Sequence, residues 1–566
     1  MERGGLNFSD FVYPTPKNDS STRTRIKIDS TTGAAQEKMM MVLDAPFQVG
    51  EPAKFVGEVG CICSTTVQAQ ATVKFVLAGL RWIRQIGAER TIGFGRVQSV
   101  DAIEIVLTKL LPPIAGTQPI HDPIEELFPD QRCRPTISHR CAAPAVTTAD
   151  TKFVLRIQPH NPFCVGGITE SGNLIDSEEI IPGGVILGAL SSMWRQGSGL
   201  PPNQFEVTPD IGRWNTLAKH FGKLVVTHAF PSQKRSNVRP GAVPLSLVAA
   251  EPWASGIPDT LFDVSLCSQP RLIPNGADGS KRPPVFQSDW KRHVVGSKAK
   301  AAFGWTSVPR ELRVRTAIDA DTLKAADEQL FAYHMVLPEQ HEWLAYLSLG
   351  AVPNADRAGV LTELRQLLTA GIGPLGKTKT WADVSIDPIS TVSPKWVSNT
   401  TALTDDSWVI TLQTPAVLCD AESLRDPIGF KLQEAYDKTW REISADCLSL
   451  KPGRFYARQS LAAPRFAGRL PMNSNGQYYP FILTDAGSTF ALEAIDDKSK
   501  AKDCIDKWLD EGIPACDRLL GGFAGDPDWK RCPYLNRHGY GEISVNPPWL
   551  TGAPSNDMPL CLRDES

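Results

Sequence analysis

The sequence predicts an α+β protein built of tandem ferredoxin-like (RRM-like) domains with long inserted loops. The first observation behind this prediction is a module that occurs three times, each time as an amphipathic helix, a loop with glycine and cationic residues, and a strand. The copies span Val73–Val97, Val360–Val384 and, with an insert, Asp503–Val545. The second observation is that strand-like runs rich in β-branched residues precede the helices. Internal repetition of this kind indicates an architecture of successive similar units.

Length and charge are consistent with such a chain. At 566 residues it is long enough for roughly three domains, and 42% hydrophobic residues suffice for packed cores. The net charge is only -3, but residues 231–315 hold 13 Lys/Arg against 6 Asp/Glu, and residues 485–530 hold 6 against 11. A basic middle and an acidic end suit a subunit that contacts nucleic acid on one side and protein on another. Ordinary solvated surface charge explains the same counts.

The first segment, to about residue 110, contains four strand-like stretches: LNFSDFVYP, TRIKI, MMMVLDAP and AKFVGEVGCICST. A helix is predicted to begin near Ala71, because apolar residues recur at helical spacing. The residues on that face are Val73, Val76, Leu77, Leu80 and Ile83. Strand, strand, helix and strand form half of a split βαβ unit.

Residues 111–150 are rich in proline and show no periodicity, which is typical of a linker. A strand follows at Thr151, and Pro182 and Gly183 then introduce a second helix. Its apolar side comprises Val185, Ile186, Ala189, Leu190 and Met193. The unsatisfied N–H groups at such a helix start make Pro182, Gly183 and Gly184 a candidate phosphate cradle. A plain strand-to-helix turn is the alternative.

The glycine loops are candidate RNA contacts, because glycine allows a close backbone approach to phosphates and adjacent Arg or Lys neutralise them. The candidates are Arg90, Gly93, Phe94, Gly95 and Arg96 in the first loop, Gly376, Lys377 and Lys379 in the second, and more weakly Arg537, His538 and Gly539 in the third. Arg235 and Arg239, after a predicted strand, join them. Structural turns with solvated charges remain the alternative for each loop.

Three motifs together resemble the RAMP (repeat-associated mysterious protein) superfamily of CRISPR effector subunits. They are the glycine loop Gly87–Val97, the helix start Ile181–Leu190, and Arg313–Asp319 followed by Gln329–Tyr333. The motif order from Thr151 to about residue 550 is similar to the large type III-D subunit that caps the 5′ end of the guide RNA. The first 110 residues are similar to the second half of a type III backbone subunit.

The resemblance implies a domain layout. Residues 1–110 form the C-terminal half of a backbone-type RAMP domain, which another chain completes or which packs on its own fusion partner. Residues 111–150 are the linker. Residues 151–390 form the first RAMP domain of the capping subunit, with a long basic insert, and 391–552 the second, followed by a tail at 553–566.

The resemblance also implies a function. We expect a guide-RNA-binding subunit of a type III (III-D-like) CRISPR effector complex, which holds the 5′ repeat-derived handle of the guide RNA (crRNA) and caps the backbone filament in RNA-guided antiviral defence. The implied partners are the guide RNA and through it the target RNA, other RAMP backbone subunits, and the large signalling subunit.

Catalysis rests on Asp176 alone. The carboxylate lies six residues before Pro182, roughly where the resemblance places an aspartate that cleaves target RNA. We expect a non-catalytic subunit, with Asp176 as a turn or helix-capping residue. An endoribonuclease that cleaves target RNA through Asp176 is the alternative, and only then is a divalent metal expected. His160 and His228 are interpreted as structural, and no other cofactor is predicted.

Twelve cysteines scattered over this length are typical of reduced thiols rather than a disulfide framework, and their spacing predicts no metal site. The N-terminus shows no signal-peptide pattern, and no apolar run approaches the roughly 18–20 residues that span a membrane. The sequence therefore predicts a cytoplasmic protein without membrane contact.

Overall fold

In the computed structural model the chain divides into two units, a smaller one (residues 1–142 with 196–203) and a larger one (143–195 with 204–566). The structure describes residues 6–9, 11–13, 21–28, 35–45, 47, 51–63, 65–86, 96–109, 136–141, 150–166, 174–201, 204, 206–209, 211, 213–250, 261–266, 286–287, 300–301, 303–318, 325–394, 397–403, 406–421, 424, 430–462, 481–520, 531–548 and 560–561. The linker prediction for 111–150 and the tail at 553–566 lie almost entirely outside these residues.

The smaller unit consists of short strand pairs and one long helix. Its strands are β1 (Leu6–Phe8), β2 (Ser21–Ile28), β3 (Ala35–Ala45), β4 (Val59–Cys61), β5 (Glu104–Lys109) and β6 (Thr136–Cys141), and its helix is α1 (Thr66–Trp82). β1 pairs with β4 and β2 with β3, both antiparallel, whereas β5 and β6 are parallel. Helix α1 begins where Thr65 caps it by accepting a hydrogen bond from the Gln68 backbone N–H (3.1 Å).

Helix α1 carries apolar residues on two faces. Val73, Val76, Leu77 and Leu80, as predicted, are partly buried, whereas Ile83 caps the helix and is exposed. On the opposite face Val67, Phe75 and Trp82 are 74%, 72% and 84% exposed. Between residues 6 and 109, every side chain whose burial is described is at least partly exposed. The side chains of this part whose burial is described therefore include no fully buried residue.

The first half of the larger unit contains a sheet whose strands are connected by helices. Its strands are β7 (Lys152–Pro159), β9 (Val225–Val226), β10 (Phe230–Gln233), β17 (His341–Ser348), β18 (Ile372–Leu375) and β19 (Thr380–Pro388). Helices α2 (Gly183–Gly197), α3 (Asn215–His220) and α4 (Asn354–Leu368) connect them. The spatial order is β10-β17-β7-β19-β18, with β9 beside β17.

This order follows from burial. All eight residues of β17 are buried, which places it inside the sheet between β7 and β10. On α2 the predicted apolar side is confirmed for Ile186, Ala189, Leu190 and Met193, which are buried, while Val185 is partly buried. On α4 the leucines and valine at helical spacing are buried in the same way.

The second half of the larger unit contains a sheet of its own. Its main sheet contains β21 (Ser407–Leu412), β23 (Leu448–Tyr456), β26 (Thr489–Ala494) and β27 (Ile543–Val545), in the order β23-β26-β21-β27. Helices α5 (Phe430–Ile443) and α6 (Lys498–Glu511) supply Tyr436, Trp440, Ile505 and Trp508 to its core. In this four-stranded sheet the second strand along the chain lies at one edge, followed by the third, first and fourth.

Smaller elements complete the larger unit. They are β8 (Leu174–Asp176), β11 (Val238–Arg239), β12 (Leu247–Ala250), β13 (Leu261–Asp263), β14 (Phe286–Gln287), β15 (Arg310–Ile318), β16 (Ala325–Val336), β20 (Ser393–Pro394), β22 (Ala416–Cys419), β24 (Gln459–Leu461), β25 (Ile482–Thr484) and β28 (Leu560–Cys561). Short 3-10 turns occur at Phe221–Lys223, Ile389–Thr391, Asp517–Leu519 and Asn536–His538. The α+β prediction is confirmed.

Candidate nucleic-acid interface

A two-stranded hairpin in the first half of the larger unit presents the surface best suited to nucleic acid. It consists of β15 and β16, which pair antiparallel, and β8 adds a third, parallel strand beside β16. Side chains of directly paired residues lie on the same face of such a sheet, and successive residues alternate between faces. The three strands therefore have two faces of different chemistry.

One face combines cations with aromatic rings. Arg313 pairs with Tyr333, and Arg315 pairs with Phe331. The Phe331 and Tyr333 rings meet edge to face with centroids 5.5 Å apart, and the Arg315 guanidinium carbon lies 5.7 Å from the Tyr333 centroid. Arg315 is exposed, and the other three are partly exposed. Aromatic rings of this kind stack on unpaired bases, and the arginines neutralise phosphates.

Sequence reasoning treated this motif as part of a resemblance and did not single out these four side chains. The signal that would have found them is the alternation in RVR and in FAY, where the first and third residues are cations or aromatic rings. Alternation predicts a shared face only once the strand pairing is known, because the register decides which cation meets which ring.

The other face holds the candidate catalytic residue Asp176. It lies at the end of strand β8, so the turn or capping interpretation was wrong. Its Oδ1 accepts hydrogen bonds from Arg310 Nη1 (2.7 Å) and lies 2.9 Å from Nδ1 of His334, which is paired with it across β16 and β8. Arg310 also donates to Ser177 O (2.8 Å) and to Glu179 Oε1 (3.1 Å). Most of this network ties β15 to the segment that leads into α2.

The second glycine loop is a rigid turn with two outward lysines. Gly376 has φ +65°, and a Cβ there would lie 2.3 Å from Cys164 O, so the position requires glycine. The Lys377 backbone N–H donates to Cys164 O (2.8 Å), and Thr378 Oγ1 accepts from Cys164 N (3.2 Å). The Lys377 and Lys379 side chains are both exposed.

This loop borders the Asp176 cluster through one buried thiol. Burial raises the pKa of Cys164, while the charge of Lys377 lowers it and that of Asp176 raises it. The Val165 N–H donates to Ser177 Oγ (3.0 Å), so the residue after Cys164 contacts the segment that follows β8, while Cys164 itself accepts from the Lys377 N–H. Arg235, exposed in the turn after β10, has φ 70° and is separated from this group in the sheet.

Arg239 has a different environment. It is 4% exposed, and its guanidinium forms two hydrogen bonds with the Glu542 carboxylate (2.7 and 2.8 Å). It also donates to Leu344 O and His228 O, and it stacks between the Phe230 and Tyr346 rings at 4.3 and 4.5 Å. Arg239 therefore joins the two halves of the larger unit rather than facing solvent.

The space at the start of α2, where the sequence predicts a phosphate cradle, is occupied by other residues of the protein. The Gly183 N–H donates to His228 Nδ1 (3.2 Å), and a Cβ at Gly183 would lie 2.0 Å from Val226 O and 2.7 Å from His538 O. Gly184 lies against the His538 side chain, and Pro182 is partly buried. These residues serve close packing at the start of α2, and no phosphate site is proposed there.

The third glycine loop supplies that packing. Gly539 has φ +91°, and a Cβ there would lie 2.4 Å from His228 Nδ1. The Tyr540 ring meets His228 edge to face at 4.7 Å. Burial, with smaller effects from Arg239 and His538, lowers the pKa of His228 to about 3. Burial also lowers the pKa of His538 and raises that of Tyr540.

In the first glycine loop, Arg90, Gly93, Phe94 and Gly95 lie outside the described residues. Arg96 is exposed, and its backbone forms an isolated antiparallel β-bridge with Gln85. The Val97 N–H donates to Arg84 O (2.8 Å). The chain therefore returns to the end of α1 after the loop, and the RNA contact predicted for these residues stays a prediction.

Neither a metal cluster nor a membrane-spanning helix occurs among the described residues. Among them, there is no cluster of three or more His, Cys, Asp or Glu side chains placed to hold a metal ion. The helices within the described ranges are all too short or too polar to cross a membrane.

Comparison with known proteins gives loose structural likenesses. Neither a protein-family profile nor a curated protein matches the sequence. The chain is similar to a chain of the type III-B Cmr-beta complex bound to cognate target RNA and AMPPnP, with 12% identity and a TM-score of 0.30 over 65% of this chain and 90% of that one. It is also similar to a chain of the Csm3-Csm4 subcomplex of the type III-A CRISPR-Cas interference complex, with 9% identity and a TM-score of 0.27 over 61% and 94%. Superpositions this loose carry no weight for the function of this chain.

Proposed function

We propose that this chain is a guide-RNA-binding, non-catalytic subunit of a type III-D-like CRISPR effector complex, where it holds the 5′ repeat-derived handle and caps the backbone filament. The proposal joins the motif resemblance in the sequence to surfaces that suit RNA. The observation that carries it is the face of the β15–β16 hairpin with Arg313, Arg315, Phe331 and Tyr333.

The handle continues into a guide of variable sequence, and that part of the RNA has to be bound without reading its base edges. Stacking on Phe331 and Tyr333 is tolerant of sequence because every base has a π-face, and it contributes about 1–3 kcal/mol per base. Arg315 is exposed beside the rings, where it neutralises an adjoining phosphate, whereas Arg313 is ion-paired with Glu311 on the same face and exchanges that carboxylate for a phosphate when RNA binds. The exposed Lys377 and Lys379 extend the cationic surface from a second rigid element of the same half.

We further infer that both halves of the larger unit are ferredoxin-like domains. The main sheet of the second half follows the order strand, helix, strand, strand, helix, strand and has the spatial order second, third, first, fourth. In the first half β7, β10, β17 and β19 follow the same spatial order, with β9 added beside β17 and β18 added outside β19. Two such domains in series agree with the boundaries 151–390 and 391–552. The insert between β10 and β17 then carries the β15–β16 hairpin beyond the sheet edge.

The smaller unit supports a protein-docking role. We infer that another backbone subunit completes residues 1–110, because α1 exposes Val67, Phe75 and Trp82 on one face. The only charged residues of α1 are Lys74 and Arg81, so the covering surface is expected to be apolar with carboxylates. A second copy of α1 is a poorer partner, because it would bring Lys74 and Arg81 of the two copies together and their positive charges would repel.

RNA binding can be tested on the full chain with fluorescently labelled single-stranded RNA at several salt concentrations. Replacing Phe331 or Tyr333 by Ala is expected to weaken binding about tenfold, and replacing Arg313 and Arg315 together should also flatten the salt dependence. Lys500→Ala with Lys502→Ala on α6 is the matched control, since these lysines pair with Asp497 and Asp506. Equal affinity of all variants would refute the proposed hairpin contact.

The handle-capping role needs the assembled complex. Isolating the complex through a tag on this chain is expected to yield RNA whose 5′ ends share one repeat-derived sequence. RNA of random 5′ ends, or a complex without RNA, contradicts the capping role even if the isolated chain binds RNA.

One observation favours the alternative, an endoribonuclease. Asp176 lies 2.9 Å from His334, and an aspartate that orients a histidine is a common way to position a general base for the attacking 2′-hydroxyl. The Arg310 bonds to Asp176, Ser177 and Glu179 instead favour a structural network. Asp176→Asn and His334→Ala should both abolish target-RNA cleavage under the alternative. Unchanged cleavage products in both variants exclude it.

A further inference from the structure

The smaller unit holds a pair of thiols that the RNA-binding proposal does not use. Cys61 ends strand β4, and Cys63 precedes Thr65, the residue that caps helix α1. Their sulfur atoms lie 3.5 Å apart, which is hydrogen-bonding distance for sulfur, and Cys63 Sγ also lies 3.9 Å from Thr72 Oγ1. Cys61 is exposed and Cys63 is partly exposed, so both are accessible to small reagents.

The two sulfurs differ in acidity. The hydrogen bond from Cys61 and, secondarily, Thr72 lower the pKa of Cys63 to about 7, against the effect of burial. The same interaction raises the pKa of Cys61. One thiolate next to one protonated thiol is the arrangement of redox-sensing cysteine pairs.

We propose that Cys61 and Cys63 form a redox-active dithiol that peroxide converts into a disulfide across the single residue Ile62. In the first step the Cys63 thiolate attacks one oxygen of hydrogen peroxide, the O–O bond breaks, and the hydroxide that leaves takes up a proton to become water. Cys63 is then a sulfenic acid. In the second step the Cys61 sulfur attacks the Cys63 sulfur, the S–O bond breaks, and hydroxide leaves with the Cys61 proton as a second water.

The balance of this sequence is two thiols and one peroxide to one disulfide and two waters, so peroxide is the only oxidant required. A metal site of the same residues is disfavoured, because within the described part of the chain no third histidine, cysteine or carboxylate lies close enough to join them. The inference is independent of the proposed RNA-binding role, since it concerns a different unit and a different chemistry.

The test is peptide mapping of the full chain after treatment with hydrogen peroxide at pH 7 and alkylation of the remaining thiols. The peptide with Cys61 and Cys63 is expected to lose both alkylation sites and to become lighter by two hydrogen atoms. Cys504, which is partly exposed but whose pKa burial raises to about 11, is the internal control and should remain alkylated. A synthetic peptide of residues 59–66 is the matched control for the unfolded pair.

Rates decide the proposal. The gain in thiolate fraction outweighs the loss of nucleophilicity, so Cys63 in the folded chain should react about three- to fivefold faster than in the peptide. In Cys61→Ser the reaction should stop at a sulfenic acid that dimedone traps at Cys63, and in Cys63→Ser Cys61 should stay alkylatable. A folded pair that reacts no faster than the peptide, or that forms only disulfides between molecules, overturns the proposal.

Discussion

The second and third glycine loops both place glycine next to cationic residues, but they have opposite environments. In Gly376–Lys379 the glycine lies against a backbone carbonyl of the same half, and both lysine side chains face outward. In the loop from Arg537 to Glu542, Gly539 lies against His228, and Glu542 is paired with Arg239. The second glycine loop therefore holds two lysines at the surface. The third glycine loop, with the Arg239–Glu542 pair, joins the two halves of the larger unit, and we call it the connector.

The difference teaches that a glycine between charged residues does not by itself predict a ligand. Positive φ and close backbone contact occur at both Gly376 and Gly539. What separates the two loops is whether another element covers the charges. At the third loop the buried Arg239 needs Glu542 as its partner, because an uncompensated charge in the interior is strongly destabilising.

The largest expected effect is at the connector. Arg239→Met should lower the free energy of unfolding by about 3–5 kcal/mol, because it leaves Glu542 without its buried partner. Urea denaturation of the full chain measures this change. Arg239→Met combined with Glu542→Gln should recover part of the loss, since the stranded charge is then removed. A loss below about 1 kcal/mol in the single variant would contradict the assigned role.

A second test of the connector uses matched glycines. Gly539→Ala combines φ +91° with a Cβ 2.4 Å from His228 Nδ1, whereas Gly453→Ala combines φ +69° with open space around the new Cβ. Backbone strain alone costs about 1 kcal/mol, so Gly539→Ala should destabilise by at least about 1 kcal/mol more than Gly453→Ala. Equal denaturation midpoints for the two variants would show that His228 moves away from the new Cβ at little cost, which would contradict the prediction.

The pH dependence of stability should also originate at the connector. Folding lowers the pKa of His228 to about 3, from about 6.5 in the unfolded chain. Between these values the unfolded chain binds a proton that the folded chain does not, so this contribution is complete above about pH 6.5 and is lost as pH falls towards 3. The slope is at most about 1.4 kcal/mol per pH unit for this group.

His228→Asn is the informative variant for that slope. An asparagine Oδ1 can accept the Gly183 N–H as Nδ1 does, but it does not titrate. The variant should therefore flatten the loss of stability between pH 6.5 and 4, measured by urea denaturation at each pH. His538, whose pKa burial also lowers, leaves a residual slope. An unchanged slope would place the titration elsewhere.

The smallest stability effect is expected at the second loop. Lys377→Ala and Lys379→Ala should change the free energy of unfolding by no more than about 0.5 kcal/mol, because both side chains are exposed. Each should reduce the dependence of RNA affinity on salt concentration by about one ion. Lys500→Ala on α6 serves as the control with a similarly exposed lysine. Lysine variants that bind RNA normally would remove this loop from the proposed contact.

Helices were the most predictable part of the fold. The apolar spacing in α1 and α2 predicted their existence and most of their inward faces, since a 3.6-residue period is a local property of the sequence. Asp176 shows the limit of that reasoning. Its neighbour His334 is 158 residues away in the sequence, and only the parallel pairing of β8 with β16 brings the two together.

By itself the sequence determined the α+β class and the apolar faces of the helices. These follow from periodicity. Only the tertiary structure decided which charges face solvent, because burial depends on elements that lie far apart in the chain. Arg239 and Lys377 are both cations in predicted RNA contacts, and the fold buries one against Glu542 and exposes the other.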